Sequence, residues 1–270
     1  MIAIDEKSLK SVLEVPFLAV SRIGELPAVR LLEIEVIHVD GLSGVQALVV
    51  TGDLQSRVPY GPDGRPGRLL GEYVADEIAA LGELGVLPSP SKVGVVLTGD
   101  LYCDEMAIER GASGDVRPVW EAFDRHFAFV TGVLGNHDEL GPSSESVAFR
   151  AGAGRYLLDG RSMRIAGIHF GGVSGVMGSR SRANRLSQGD YLSAVRSVVS
   201  SGIDVLVVHE SPSILELGFK GSDPLRGVVE SAKPILMCCG HVRWTKPFAR
   251  LESGTTILNT DGRCVVLVQD

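Results

Sequence analysis

Apolar and polar positions along this chain fall into two periods. Leu48-Val49-Val50, Val95-Val96-Leu97, the stretch from Phe129 to Leu134, Val205–Val208 and residues 235–239 are apolar runs of strand length. They predict strands covered on both faces. Between the first two, Leu69, Leu70, Tyr73, Val74, Ile78, Leu81 and Leu84 recur at three- and four-residue steps, predicting an amphipathic helix that stops near Gly85. Pro118 ahead of Val119, Trp120, Phe123 and Phe127 predicts a second helix, with His126 on its surface. Ser187 ahead of Val195, Val198 and Val199 predicts a third, ending at Gly202. A strand, a helix and another strand in that order predict a parallel pair with a helical crossover.

The remaining pattern is less regular. Residues 28–39 read as a strand, and Asp40-Gly41 is a good hairpin turn into the next strand, so residues 1–44 are expected to add an edge strand. Residues 57–67 and 102–117 are loops, the first too rich in Gly and Pro for a regular element. Residues 156–160 and 163–168 predict a hairpin leading to His169, read as a structural residue or one that supports the ligands from behind. Residues 255–258 and 264–268 read as closing strands joined by a turn at Asn259-Thr260-Asp261-Gly262.

The chemistry sits where the strand-like runs stop. They close on Thr51-Gly52-Asp53, Thr98-Gly99-Asp100, Gly135-Asn136-His137-Asp138, His209 and Gly240-His241. Gly135 is expected to supply a backbone turn closed to other residues. Carboxylates, imidazoles and an amide oxygen converging from separate strands have the composition of a divalent-metal site. The order and placement of these residues resemble the calcineurin-like metallophosphoesterases. Their pattern runs Asp-x-His, Gly-Asp, Gly-Asn-His-Asp/Glu, a lone His and Gly-His-x-His, and the likeness extends from about residue 47 to the end. Two positions depart from it: Gln55 and Arg243 stand where histidines are expected.

The resemblance implies a four-layer α/β/β/α sandwich, two mixed sheets flanked by helices; the residue pattern by itself requires only an α/β class. It also implies a metal-dependent phosphoester hydrolase, phosphodiesterase or phosphomonoesterase. One metal position takes Asp100, Asn136, His209 and His241. The other takes Asp53, the shared Asp100 and then Gln55 and Arg243, and is degenerate. Glutamine can offer a neutral oxygen, but a guanidinium has no lone pair to donate. Its charge would repel a dication by roughly 8 kcal/mol at ~4 Å and an effective dielectric of about 20. Arg243 is therefore expected to replace the second ion, pairing with Asp53 and offering its fork to a phosphoryl oxygen. One ion is expected (Mn, Fe or Zn), with two possible. His137 is expected to act as the general acid, oriented by Asp138. Arg180, Arg182 and Arg185 are candidates for binding the substrate phosphate or for a solvated loop. The alternative is a weakly active or inactive binding or scaffold protein on the same fold.

Composition narrows the class further. The chain has 270 residues, 44% hydrophobic and 22% charged, enough for a sizeable core, and the scattered site clusters must meet, so one domain over residues 1–270 is expected. A net charge of -7 gives no support to a nucleic-acid or anionic-membrane surface. No apolar run approaches bilayer length and the opening residues lack a signal pattern, so a cytoplasmic location is expected, while a small phosphorylated substrate is what the resemblance implies. The four cysteines, Cys103, Cys238, Cys239 and Cys264, show no framework spacing and read as reduced.

Overall fold

The computed structural model describes residues 2–20, 27–61, 64–150 and 154–270. Pro62 and Asp63 of the first predicted loop lie outside them. One sheet of eight strands comprises β1 (Ala3–Ile4), β2 (Lys10–Ala19), β3 (Ala28–Asp40), β4 (Ala47–Gly52), β5 (Val93–Leu97), β6 (Phe129–Gly132), β7 (Arg155–Leu157) and a late strand, Arg263–Gln269. A second sheet of six strands comprises β8 (Arg161–Ile165), β9 (Ile168–Val173), β10 (Val205–Val208), β11 (Leu236–Cys239), β12 (Phe248–Arg250) and β13 (Thr256–Asn259). The late strand is β14. The helices are α1 (Leu70–Glu83), α2 (Arg117–His126), α3 (Ser143–Arg150), α4 (Gln188–Val199) and α5 (Asp223–Ala232).

The continuous apolar runs are explained by three stacked cores. Val49, Val95 and Val130 point to one face of the first sheet, against Val74 and Ile78 of α1 and Trp120 and Phe123 of α2. Their neighbours Leu48, Val50, Val96 and Phe129 point to the other face, against Phe170, Val205, Val207 and Cys238 of the second sheet. The far side of that sheet, with Leu206, Val208 and Met237, packs on Tyr191 and Val195 of α4 and Leu225 and Val229 of α5. Period-2 alternation between two apolar environments needs apolar residues at every position. The layers run helix, sheet, sheet, helix. The expected parallel β4–α1–β5 unit is present, Ala47 pairing with Val93.

Pairing differs from the local reading in three places. β3 and β4 form no hairpin: β14 lies between them, parallel to β3 and antiparallel to β4. Residues 156–160 do not pair with 163–168 either. β7 joins the first sheet beside β6, and β8 pairs with β9 around Ala166-Gly167, which puts His169 inside a strand. The two closing strands belong to different sheets, so Asn259 to Gly262 is a crossing between layers. In each case a turn signal is local, whereas the partner is chosen by burial of the whole face. The strand β2, with Pro16 on a sheet edge, is an addition to the expected set; it pairs with β3 along its length.

Candidate metal centre

Strands β4, β5, β6, β10 and β11 end at the same side of the two sheets, and their following residues meet there. Asp100, His209 and His241 each bring a possible ligand atom within 4.8 Å of the others. Asp100 and His209 are buried, and His241 is half-buried. His209 Nδ1 is 2.9 Å from the Thr98 carbonyl, so it is the protonated nitrogen; Nε2 lies 3.3 Å from Asp100 Oδ2. The Asn136 side chain is 6% exposed, and its Oδ1 is buried with no hydrogen-bond partner. His209 Nε2 is buried without one as well.

The electrostatics reflect concentrated negative charge. Burial alone would lower His209, but Asp100 and Asp53 hold it up at about 10. His241 is pushed down to about 4 by burial and by His209, leaving its ring lone pair free. Burial pushes Asp53 well above the carboxylate range, with Asp261 and Asp100 adding like charge against the pull of His209. A divalent cation would neutralise this cluster.

Backbone geometry forces the side chains together. Asp53, Asp100 and His241 have φ of 51°, 54° and 68°, left-handed conformations that non-glycine residues rarely adopt. Gly135 serves space, not an unusual φ: a Cβ there would collide with Asp100 Oδ1. A Cβ at Gly240 would likewise strike Asp53 Oδ2.

Several expected roles need correction. Asp138 does not orient His137. Its buried carboxylate accepts from the backbone N–H groups of Asp100 (2.8 Å), Leu101 (2.7 Å) and Gly135 (2.8 Å), tying two strand ends together. Burial and then Asp100 push its carboxyl up to about 6. The His137 ring is met from the 102–117 loop, with Ser113 Oγ 3.3 Å from Nδ1. Gly111 lies so close beneath the ring that a Cβ there would stand 3.2 Å from Cε1.

Gln55 turns its amide nitrogen, not its oxygen, to the centre: Nε2 donates to Asp100 Oδ2 at 2.9 Å. Asp53 lies outside the ligand cluster, and its Oδ2 accepts from the His241 backbone N–H at 3.0 Å. Arg243 does not pair with Asp53. It is exposed, and its Nη1 donates to the backbone carbonyls of Asp261 and Gly262, at 2.8 Å for the latter. Of the three loop arginines, Arg180 is bound to Asp190 and Arg182 is exposed. Arg185 alone is close enough to act on His241 and Glu210.

Other site residues escaped the sequence reading. The Asn184 amide donates to the carbonyls of Gly135 (3.1 Å) and Asp138 (2.6 Å), clamping the Asn136-His137 turn from outside. Glu210, 9% exposed, accepts from Met177 N–H at 3.0 Å. Asp261, assigned to a turn, stands beside Asp53 and Arg243. A polar residue next to a strand-end histidine was the available signal for Glu210; Asn184 gave none.

No protein-family model matches the chain, and no curated protein matches it. Solved structures do. The Thermus thermophilus protein TT1561 aligns at 15% identity and a TM-score of 0.53, covering 81% of this chain and 90% of that one. Purple acid phosphatase PPD1 from yellow lupin aligns at 14% identity and 0.46, over 88% and 48%. GAP50 of Plasmodium aligns at 11% and 0.46, over 80% and 71%. Only the first of these three passes a TM-score of one half, and at such identities the likeness concerns architecture. With its two sheets, flanking helices and strand-end cluster, the chain has the four-layer α/β/β/α fold of the calcineurin-like metallophosphoesterases.

Proposed function

We propose that this chain is a metal-dependent phosphoester hydrolase working with one divalent ion, held by Asp100, Asn136, His209 and His241. The observation that carries this reading is the buried, unpartnered acceptor Asn136 Oδ1 beside the Asp100–His209–His241 cluster, where His209 Nε2 is turned toward Asp100 Oδ2. A buried polar atom left unsatisfied costs about 1–3 kcal/mol, which a cation at this point would relieve. One carboxylate, one amide oxygen and two imidazoles suit Mn, Fe or Zn. When bound, the ion supplies positive charge at the phosphoryl oxygens and a nucleophile deprotonated near neutral pH.

The chain's own groups do the rest. His137, part-exposed at the rim, gives a proton to the departing ester oxygen, and Ser113 and Gly111 fix its ring. Asp138 and Asn184 hold the turn that carries Asn136 and His137. Arg185 adds positive charge near His241. Gln55 sets the ion count: its N–H group occupies the Asp100 oxygen that a second cation would share. The site draws on both sheets, which supports treating the chain as one domain.

Turnover of an aryl phosphodiester and an aryl phosphomonoester with added manganese tests this directly. His137→Ala is expected to lower kcat by about 10²–10⁴-fold, and Asp100→Asn to abolish turnover together with metal binding. Equal rates in the three proteins would overturn the reading.

A further inference from the structure

The N-terminal strands reach past the sheet they extend. Ile34 of β3 pairs with Cys264 of β14, and Cys264 pairs with Thr51 near the end of β4. β3 runs opposite to β4, so the residues before Ile34 continue beyond the strand end that carries Asp53 and Gln55. Residues 28–33, at ~3.3 Å each, carry the β2–β3 ribbon on the order of 20 Å past that edge.

The ribbon is fastened to the site. Leu18 N–H donates to the Arg57 carbonyl at 2.8 Å, and Ser56 Oγ donates to the Leu18 carbonyl. The Arg57 guanidinium in turn donates to the carbonyls of Gly67 (3.1 Å), Cys103 (3.1 Å) and Asp104 (2.8 Å). Ribbon, first loop and second loop therefore form one rim.

Against this rim lies a cleft of about 800 Å³ lined in part by Asp53 and Gln55, which bond to the His241 backbone and to the Asp100 carboxylate. Leu31, 56% exposed, lines it from the ribbon, and Thr245 and Arg243 line it from the loop after His241. Arg110 lines it from the second loop, next to the Gly111 that underlies His137. Arg110 thus joins the cleft wall to the loop that holds the His137 ring. Among the described residues, Arg243 bonds to protein through Nη1 alone and Arg110 makes no hydrogen bond or ion pair. Two guanidinium groups bring unused donors to the space.

We propose that this cleft holds the alcohol half of the substrate, and that the substrate is a phosphoester of a bulky, hydroxyl-rich alcohol of nucleoside or sugar size. Pockets of about 300–1,000 Å³ enclose most of a drug-sized organic group; a methyl group would leave this one to water. Walls that mix Leu31 and Leu32 with arginines and with carboxylates, among them Glu33, Glu35 and Asp261, suit a ring system bearing hydroxyl groups, which accept from the guanidinium groups and donate to the carboxylates. The proposal rests on the hydrolase reading for the fate of the ester, but binding can be read without turnover.

The test compares thymidine 5′-monophosphate with methyl phosphate, which present the same phosphate dianion, by calorimetric titration into the manganese-loaded protein. The nucleotide is expected to bind about tenfold or more tightly. Leu31→Trp and Thr245→Trp, uncharged changes at exposed positions on opposite walls, are expected to close that gap and leave methyl phosphate within about twofold. Circular dichroism confirms that both variants fold. A gap near unity in the unaltered protein, binding of neither ligand, or variants that weaken both ligands equally would overturn the proposal. A protein that shows the gap yet cleaves no phosphoester keeps the cleft and loses the hydrolase reading.

Discussion

At the scale of single residues, His137 depends on a neighbour that no motif names. With the Asp138 carboxylate committed to three backbone N–H groups, Ser113 Oγ is the polar group that meets the His137 ring. Losing one such hydrogen bond, worth about 1 kcal/mol, should lower kcat for Ser113→Ala roughly fivefold, with KM unchanged. The loss should be larger for an alkyl than for an aryl phosphoester, because a poor leaving group needs the proton more. Steady-state kinetics on the two esters checks this; equal losses, or a change confined to KM, would count against it. The ligand types at Asp100, Asn136, His209 and His241 were legible from strand ends. The left-handed backbones of Asp100 and His241, the clamp from Asn184 and the direction of the Gln55 amide were not, because each depends on contacts made across the chain.

At the scale of elements, the buried strands and three of the five described helices, α1, α2 and α4, could be read, and among strand partners the parallel β4–β5 pair. The three- and four-residue spacing of α1 and the apolar runs of β4, β5 and β10 follow from burial on known faces. Insertion of β14 between β3 and β4 is decided by residues more than two hundred positions away. The contact of α1 with α2 offers a measurable case. Asp76 on α1 accepts from His126 of α2 at 2.7 Å and pairs with Arg68 at 2.6 Å. Burial works against the charged form of Asp76, yet these two partners outweigh it and hold its carboxyl below the usual range. A lowered folded pKa gives stability that is present above the unfolded value and is lost as pH falls through the folded one. Asp76→Asn should therefore cost about 0.5–1 kcal/mol at pH 7, with the difference fading below about pH 4. Thermal melts across that range decide it, and a difference that persists undiminished in acid would contradict the assignment.

At the scale of the molecule, one end of two stacked sheets collects side chains from both, while the ribbon of β2 and β3 walls off the space beside them. Charges of both signs line the cleft, with Arg30, Arg110, Arg243 and Arg263 set among carboxylates such as Glu33, Glu35 and Asp261. No helix among the described residues is long and apolar enough to cross a membrane. What unites the fold with its proposed chemistry is a single cation at the strand ends. The most direct measurement is an anomalous scattering map at the manganese edge from crystals grown with saturating Mn²⁺. One peak is expected, about 2.0–2.4 Å from an Asp100 carboxylate oxygen, Asn136 Oδ1, His209 Nε2 and a His241 ring nitrogen. Two peaks sharing Asp100, or none among these four side chains, would contradict it.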